Sequence, residues 1–126
     1  MSDGVPQTRF TRLVLPADTN HLGTLYGGSL LAWMDSAAGI AGVRRAGTRT
    51  VVTAAVDELT FRVAIREGEL VELIAEVQSV GRTSMRVGVE AHREDPVTHV
   101  RELCTVGVFT MVALDDEGRP TPIRDL

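Results

Sequence analysis

The spacing of hydrophobic and polar residues divides the chain into a short β-rich start, one helix and a longer β-rich part. Residues 8–15 predict a first strand that ends at Pro16, and residues 17–26 are rich in turn-forming types that predict a loop. From residue 28 to about residue 46, apolar side chains recur at the spacing of one helical face. Gly47, after two arginines in the last turn, indicates where this helix ends.

The residue pattern in the second half of the chain predicts β-strands. The β-rich segments are residues 51–61, 70–80, 84–92 and 100–113, separated by Gly68, Gly81 and Pro96. In the third segment, Met85, Val87, Val89 and Ala91 alternate with Arg86, Gly88, Glu90 and His92. This alternation predicts one buried face and one solvated face, and a tight hairpin at residues 80–84 predicts an antiparallel meander. The tail from Asp115 onwards is predicted to be an exposed end.

The predicted helix carries almost no charge. Between Thr19 and Val43, Asp35 is the only formally charged side chain, so the helix has no solvated polar face and we expect it to be buried on most sides. A single small sheet cannot wrap a helix fully, so a second subunit is a natural source of the remaining cover. One helix followed by four long strands predicts an α+β fold.

Length and composition indicate a globular protein of one domain, residues 1–126. The first nine residues lack the apolar run of a secretory signal, and the uncharged stretch of the helix is too short to span a membrane. The single cysteine, Cys104, fits a reducing compartment and a small buried residue. We therefore expect a soluble, cytoplasmic protein.

Charge and residue usage exclude several classes of function. The net charge of -4 argues against a nucleic-acid partner. All thirteen basic residues are arginine, which leaves no lysine for Schiff-base or phosphate-loop chemistry but allows arginine to grip a phosphate. His21, His92, His99 and Cys104 show no metal-ligand spacing, so the sequence predicts no metal site.

Asp35 and the glycine pair before the helix are the candidate catalytic groups. A carboxylate among apolar neighbours either forms a structural hydrogen bond or takes part in catalysis. The position of Asp35 in the helical pattern favours neither role. Free backbone N–H groups at Gly27 and Gly28 could stabilise a carbonyl oxygen that gains charge, although the glycines could also form only a flexible helix entry. Asp18 and Asn20 could likewise only make side-chain turns.

Taken together, these residues match a family signature. Residues 18–35, DTNHLGTLYGGSLLAWMD, closely resemble the signature of the broad-specificity hot-dog acyl-CoA thioesterases, in which an acidic residue stands eight positions after the first glycine of the Gly-Gly pair. The likeness continues through residues 37–41, 51–57 and 80–84, and it ends near residues 109–118. It covers almost the whole chain in the same order.

The resemblance implies a hot-dog fold, a long central helix wrapped by a curved antiparallel β-sheet. It implies subunits joined edge to edge as a homodimer at minimum, with dimers assembling further. In this family the active site lies at the dimer interface, so that Asn20 of one subunit would face Asp35 of the other, with two equivalent sites per dimer.

The implied activity is hydrolysis of acyl-CoA thioesters without a separate cofactor. The N–H of Gly28, together with Gly27, would hold the thioester oxygen, Asp35 would activate water or attack directly, and Asn20 would position the water or the carbonyl. Tyr26 stands where many relatives carry histidine or phenylalanine, and it would line the thioester pocket or pack as a wedge. The CoA portion would lie along the segment Gly81, Arg82, Thr83 and Ser84, with Arg82 the candidate for a phosphate contact.

Rival functions remain open on the same fold. A hot-dog hydratase or dehydratase normally pairs a histidine with its acidic residue, and no histidine stands at this helix start. A non-catalytic acyl-CoA-binding protein would keep the pocket without turnover. A serine hydrolase is disfavoured because Gly27-Gly28-Ser29-Leu30-Leu31 lacks the closing glycine of a nucleophile elbow.

Overall fold

The computed structural model describes residues 4–125, which form one long helix and a curved antiparallel sheet. In chain order the elements are β1 (Thr8–Leu13), a 3-10 turn (Pro16–Asp18), α1 (Gly27–Ala46), β2 (Thr50–Phe61), β3 (Leu70–Val80), β4 (Ser84–Glu94) and β5 (Arg101–Leu114). Every predicted element is present. The first strand is two residues shorter than predicted, because the chain turns at Pro16 and the Asp18 carboxylate accepts the N–H of Leu15.

The five strands of the described sheet lie in the order β1-β3-β4-β5-β2. The meander predicted by the hairpin holds for β3, β4 and β5, and the N–H of Gly81 closes that hairpin on the carbonyl of Ser84 at 2.8 Å. The two earlier strands are added at opposite edges, β1 beside β3 and β2 beside β5. This topology curves the sheet around α1 and confirms the predicted α+β hot-dog architecture.

The core lies between α1 and the concave face of the sheet. Met34, Ala37 and Ala38 of the helix are fully buried, as are the side chains predicted for the inner face of β4. Gly42 lies so close to Val51 and Met85 that an added Cβ would approach a valine methyl to 2.9 Å. Small residues in the middle of α1 therefore let the helix lie directly on the sheet. At its end, Gly47 adopts a left-handed conformation with φ of 78°, as predicted.

One chain leaves one side of the helix and one sheet edge open. On α1, the exposed residues include Ala32, Ser36, Ile40 and Val43, so within one chain the helix is not buried on most sides. In the described sheet, β2 has a neighbour on one side only, and its twelve residues are mostly exposed. Long unpaired edges and uncharged helix faces are surfaces on which a further chain can pack.

The tail is mostly exposed, as predicted, but its buried Ile123 anchors it to the domain, which the sequence pattern did not indicate. The Asp115 carboxylate accepts the N–H groups of Glu117 and Arg119 and reverses the chain. The buried Ile123 then donates its N–H to the carbonyl of Arg82 at 2.8 Å. The tail follows this course because Ile123, four residues beyond the end of the turn at Arg119, covers the core at the C-terminal end of α1.

Among residues 4–125, no helix has the length and apolar character needed to cross a membrane.

Candidate active site

The loop before α1 is organised by Asn20. Its side-chain oxygen accepts the N–H of Leu22 at 2.9 Å, the N–H of Thr24 at 3.3 Å and the hydroxyl of Thr24 at 3.1 Å. The side-chain turn considered from the sequence is therefore present. Because the carbonyl oxygen is occupied, a substrate or water could interact with Asn20 through its NH₂ group, which can only donate.

The start of α1 presents backbone N–H groups to open space. The Tyr26 carbonyl accepts the N–H of Leu30 at 3.0 Å, so the helix begins at Gly27. In the described chain no side chain caps this end, and its first turn contains no acidic residue. A Cβ built on Gly28 would meet nothing within 4 Å. The helix dipole and the uncapped N–H groups therefore favour negative charge at an accessible position.

Asp35 lies on the same side of α1 as Gly28, because seven residues are close to two helical turns. Its carboxylate accepts a short hydrogen bond from the hydroxyl of Thr53. Thr53 projects from β2 towards the helix opposite Met111 of β5. The carboxylate is partly buried and held on one oxygen, which leaves its second oxygen for another contact.

Thr53 is the residue of this group to which the sequence assigned no role. Residues 51–57 were part of the family likeness, but nothing in a β-branched segment distinguishes one threonine as a partner of a distant carboxylate. The only available signal was its polarity between Val52 and Ala54 in an otherwise apolar run. The contact depends on which face of β2 points inwards, and the strand has a register shift between Thr53 and Ala55.

A cleft of about 320 Å³ opens beside the helix start. The ring of Phe61 lies 3.7 Å from the position of a Cβ on Gly27, and Leu30 and Val63 extend the apolar wall. Tyr26 is half exposed at the N-cap and does not line this cleft. The cleft places apolar surface directly beside the open N–H groups, as a site for a carbonyl with an attached chain requires.

The predicted CoA segment lies at the opposite end of the same chain. The Arg82 carbonyl accepts the N–H of Ile123, and the next residue, Arg124, donates its N–H to Ala46, the last residue of α1. A helix of 20 residues is about 30 Å long. Gly81, Arg82, Thr83 and Ser84 are therefore not brought near Gly28 within one chain, and they could join such a site only on another subunit.

Cys104 is part of the core. Its side chain is fully buried, and burial raises the pKa of the Cys104 thiol. A neutral, enclosed thiol is a poor nucleophile. The small core residue predicted from the sequence is confirmed.

Known proteins resemble the chain in sequence and in structure. A family model described as thioesterase superfamily matches residues 22–99. An uncharacterized acyl-CoA thioester hydrolase of Zymomonas mobilis is 40% identical over 113 residues, 88% of this chain and 74% of that protein.

Several solved structures are similar to this chain in both sequence and fold. An apo-hexameric acyl-CoA thioesterase is 44% identical, with a TM-score of 0.89 over 93% of this chain and 74% of that one. The acyl-CoA hydrolase of Staphylococcus aureus, solved with butyryl-CoA and CoA, is 37% identical, with a TM-score of 0.87 over 93% of this chain and 71% of that one. Further structures of that hydrolase carry alanine in place of an asparagine, a threonine or an aspartate. The chain therefore belongs to the thioesterase superfamily, as a hot-dog-fold enzyme of the acyl-CoA thioester hydrolase family.

Proposed function

We propose that the protein hydrolyses the thioester bond of acyl-CoA, releasing CoA and a carboxylic acid. The observation that carries this proposal is the open start of α1 at Gly28, with the carboxylate of Asp35 two turns further on the same side of the helix. The substrate class is that of the relatives, which are named acyl-CoA thioester hydrolases.

In this mechanism the N–H of Gly28, with that of Gly27, receives the thioester oxygen. The oxygen gains negative charge as the carbonyl carbon becomes tetrahedral, and N–H groups that are already oriented stabilise that charge more than the neutral carbonyl. Substitution of glycine by a larger residue would fill the space through which the oxygen approaches, since Gly28 has no neighbour within 4 Å of a Cβ.

Asp35 supplies the attack on the carbonyl carbon. As a general base it would take a proton from water while the water oxygen bonds to carbon, and the sulfur would then leave with the bonding electrons and be protonated to the CoA thiol. As a nucleophile it would form an anhydride that water opens in a second step. Both routes need the carboxylate fixed in direction, and the hydroxyl of Thr53 provides this by binding one of its oxygens.

Asn20 is proposed to donate its NH₂ group to the water or the carbonyl of a site on a second subunit. The asparagine and aspartate replaced in the Staphylococcus aureus hydrolase stand the same number of residues apart as Asn20 and Asp35. The threonine replaced there also follows the aspartate in sequence. The number of residues between those two differs by one from the number between Asp35 and Thr53. The equal first spacing and the nearly equal second spacing support treating these three residues as one functional set.

The proposed functional unit is at least a homodimer, with dimers assembling further. The unpaired edge of β2 and the uncharged, exposed side of α1 supply surfaces for such contacts. Two similar thioesterases are described as hexameric. A second subunit would also bring Asn20 and the hairpin residues of the CoA segment, including Arg82, within reach of the Asp35 site.

A hydrolysis assay tests the proposed function. We expect the purified protein to release free thiol from acyl-CoA esters in a screen that spans short, long and aromatic acyl groups. Hydration of enoyl thioesters without thiol release would indicate a hydratase. Tight acyl-CoA binding without turnover would indicate a non-catalytic binding protein, and either result would overturn the proposal.

Thr53→Val is expected to lower kcat about tenfold with little change in KM, because the carboxylate of Asp35 loses the hydrogen bond that orients it. Thr53→Ser keeps a hydroxyl and should retain most of the activity. Thr60→Val is a matched control, since Thr60 lies on the same strand and pairs with Val106. Equal kcat values for Thr53→Val and the control would show that Thr53 only contributes to packing.

A further inference from the structure

A second cavity, of about 450 Å³, lies at the C-terminal end of α1. It contacts the helix at Ala41, Arg44 and Arg45, whereas the cleft of the proposed active site contacts it at Gly27 and Leu30. Eleven residues separate Leu30 from Ala41, which is about 16 Å along the axis. The two spaces are therefore distinct within one chain.

The cavity exists because β1 stops pairing before β3 ends. The strand pair begins at Thr8 opposite Ala75, although β3 continues to Val80. Pro6 has no N–H to donate to the sheet, so the chain leaves the ladder there. The last residues of β3, the segment before Thr8 and the helix end then enclose a space that no element of the described chain fills.

Two arginines line the cavity without a carboxylate partner among residues 4–125. Arg44 donates to the hydroxyl of Thr8 at 3.1 Å, and Arg45 donates to the carbonyl of Arg124 at 2.6 Å. Both acceptors are neutral, and neither guanidinium forms an ion pair with any carboxylate of residues 4–125. Each guanidinium has further N–H donors besides the one that is already bonded.

The rest of the lining is mixed. Val5, Pro6, Ala41, Val77 and Val80 form apolar wall, and the polar residues of the lining are Gln7, Thr8, Gln78 and Ser79. Among residues 4–125, the lining includes no aromatic ring on which a nucleotide base could stack. A ligand that matches both parts has one anionic end for the guanidinium groups and one alkyl chain for the valines. The volume lies within the range of about 300–1,000 Å³ that is usual for small-molecule sites.

We propose that this cavity binds an alkyl carboxylate, the chemical class of a fatty acid, with its carboxylate at Arg44 and Arg45. The site is separate from the proposed catalytic cleft, and its ligand class follows from charge and lining alone. If the proposed hydrolysis is correct, the enzyme itself releases such carboxylates, so the cavity would respond to its product.

Calorimetric titration with hexanoate, octanoate and decanoate tests the site. Affinity is expected to rise about three- to fourfold for each added CH₂ group, because each methylene leaves water for apolar wall. Arg44→Gln and Arg45→Gln should each weaken decanoate binding at least about tenfold. Arg49→Gln is the matched control, since Arg49 is an exposed arginine near the same helix end that does not line the cavity. It should bind decanoate as the wild type does.

Nuclear Overhauser contacts between labelled decanoate and the wild-type protein locate the ligand without relying on any variant's stability. Contacts to the methyl groups of Val77 and Val80 would support the proposal. Contacts to Leu30 and Val63 would overturn the proposal. Displacement of decanoate by free CoA would also overturn it, because the cavity would then hold the CoA portion of the substrate. Absence of binding would also overturn it, and none of these results depends on whether the protein hydrolyses acyl-CoA.

Discussion

Asp35→Asn is expected to lower kcat for acyl-CoA hydrolysis by about 10²–10⁴-fold, the range typical for removal of a general base. An amide cannot take a proton from water or attack the carbonyl, but it has the size of the carboxylate and can still accept the hydrogen bond of Thr53. Folding and assembly should therefore remain close to those of the wild type. Initial rates of thiol release, with size-exclusion chromatography and a thermal melt on the same samples, measure both effects.

Glu117→Gln is the matched control for this loss of charge. Glu117 lies in the turn after β5, outside both the proposed site and the β2 edge, and it forms an exposed ion pair with Arg119. The control should retain full activity, because exposed ion pairs contribute little. If Asp35→Asn and Asp35→Ala both remain assembled and turn over substrate near the wild-type rate, Asp35 is structural and the proposed mechanism is wrong.

Mixed assemblies of two inactive variants are expected to regain activity. If Asn20 and Asp35 of one site come from different subunits, a dimer of one Asn20→Ala chain and one Asp35→Ala chain contains one site with both residues intact. Random pairing makes half of the dimers mixed, each with one working site of two, so the mixture should reach roughly a quarter of wild-type activity. Each variant alone should be nearly inactive.

Co-expression with two different affinity tags isolates assemblies that contain both variants for this test. The control is the Asp35→Ala variant co-expressed with both tags, because two Asp35→Ala chains cannot form a site with both residues intact. Failure of the mixed dimer to exceed its parents would show that both residues act within one subunit or that Asn20 is needed only for its loop. Asn20→Asp separates these two outcomes, because a carboxylate can still accept the N–H groups of Leu22 and Thr24 but cannot donate a hydrogen bond; retained activity would show that Asn20 is needed only for its loop.

Local sequence patterns were sufficient for the secondary structure. The boundaries of β3 match the prediction, because its alternation and its flanking glycines are both local signals. The helix end at Gly47 was predictable for the same reason, since the left-handed conformation there favours glycine. The family signature likewise needed only the order of residues along 18 positions.

The tail and Thr53 show where local patterns fail. A proline- and glycine-containing tail is typical of an exposed end, and most of its described residues are exposed, but only the tertiary structure shows that Ile123 packs over the open end of the core. Thr53 is one of several threonines in β-rich segments. Its contact with Asp35 depends on the register of β2 against β5, which includes a shift directly after this residue.

The sequence by itself determined the element order, the α+β fold, the glycine start of α1 and the candidate role of Asp35, because hydrophobic period, turn chemistry and the family signature are properties of neighbouring residues. Only the tertiary structure decided that Thr53 holds Asp35, that the hairpin of Arg82 lies at the far end of the helix from Gly28, and that a cavity with Arg44 and Arg45 remains beside β3. These features join residues distant in sequence, so they arise from how the sheet curves around the helix and where each strand stops pairing.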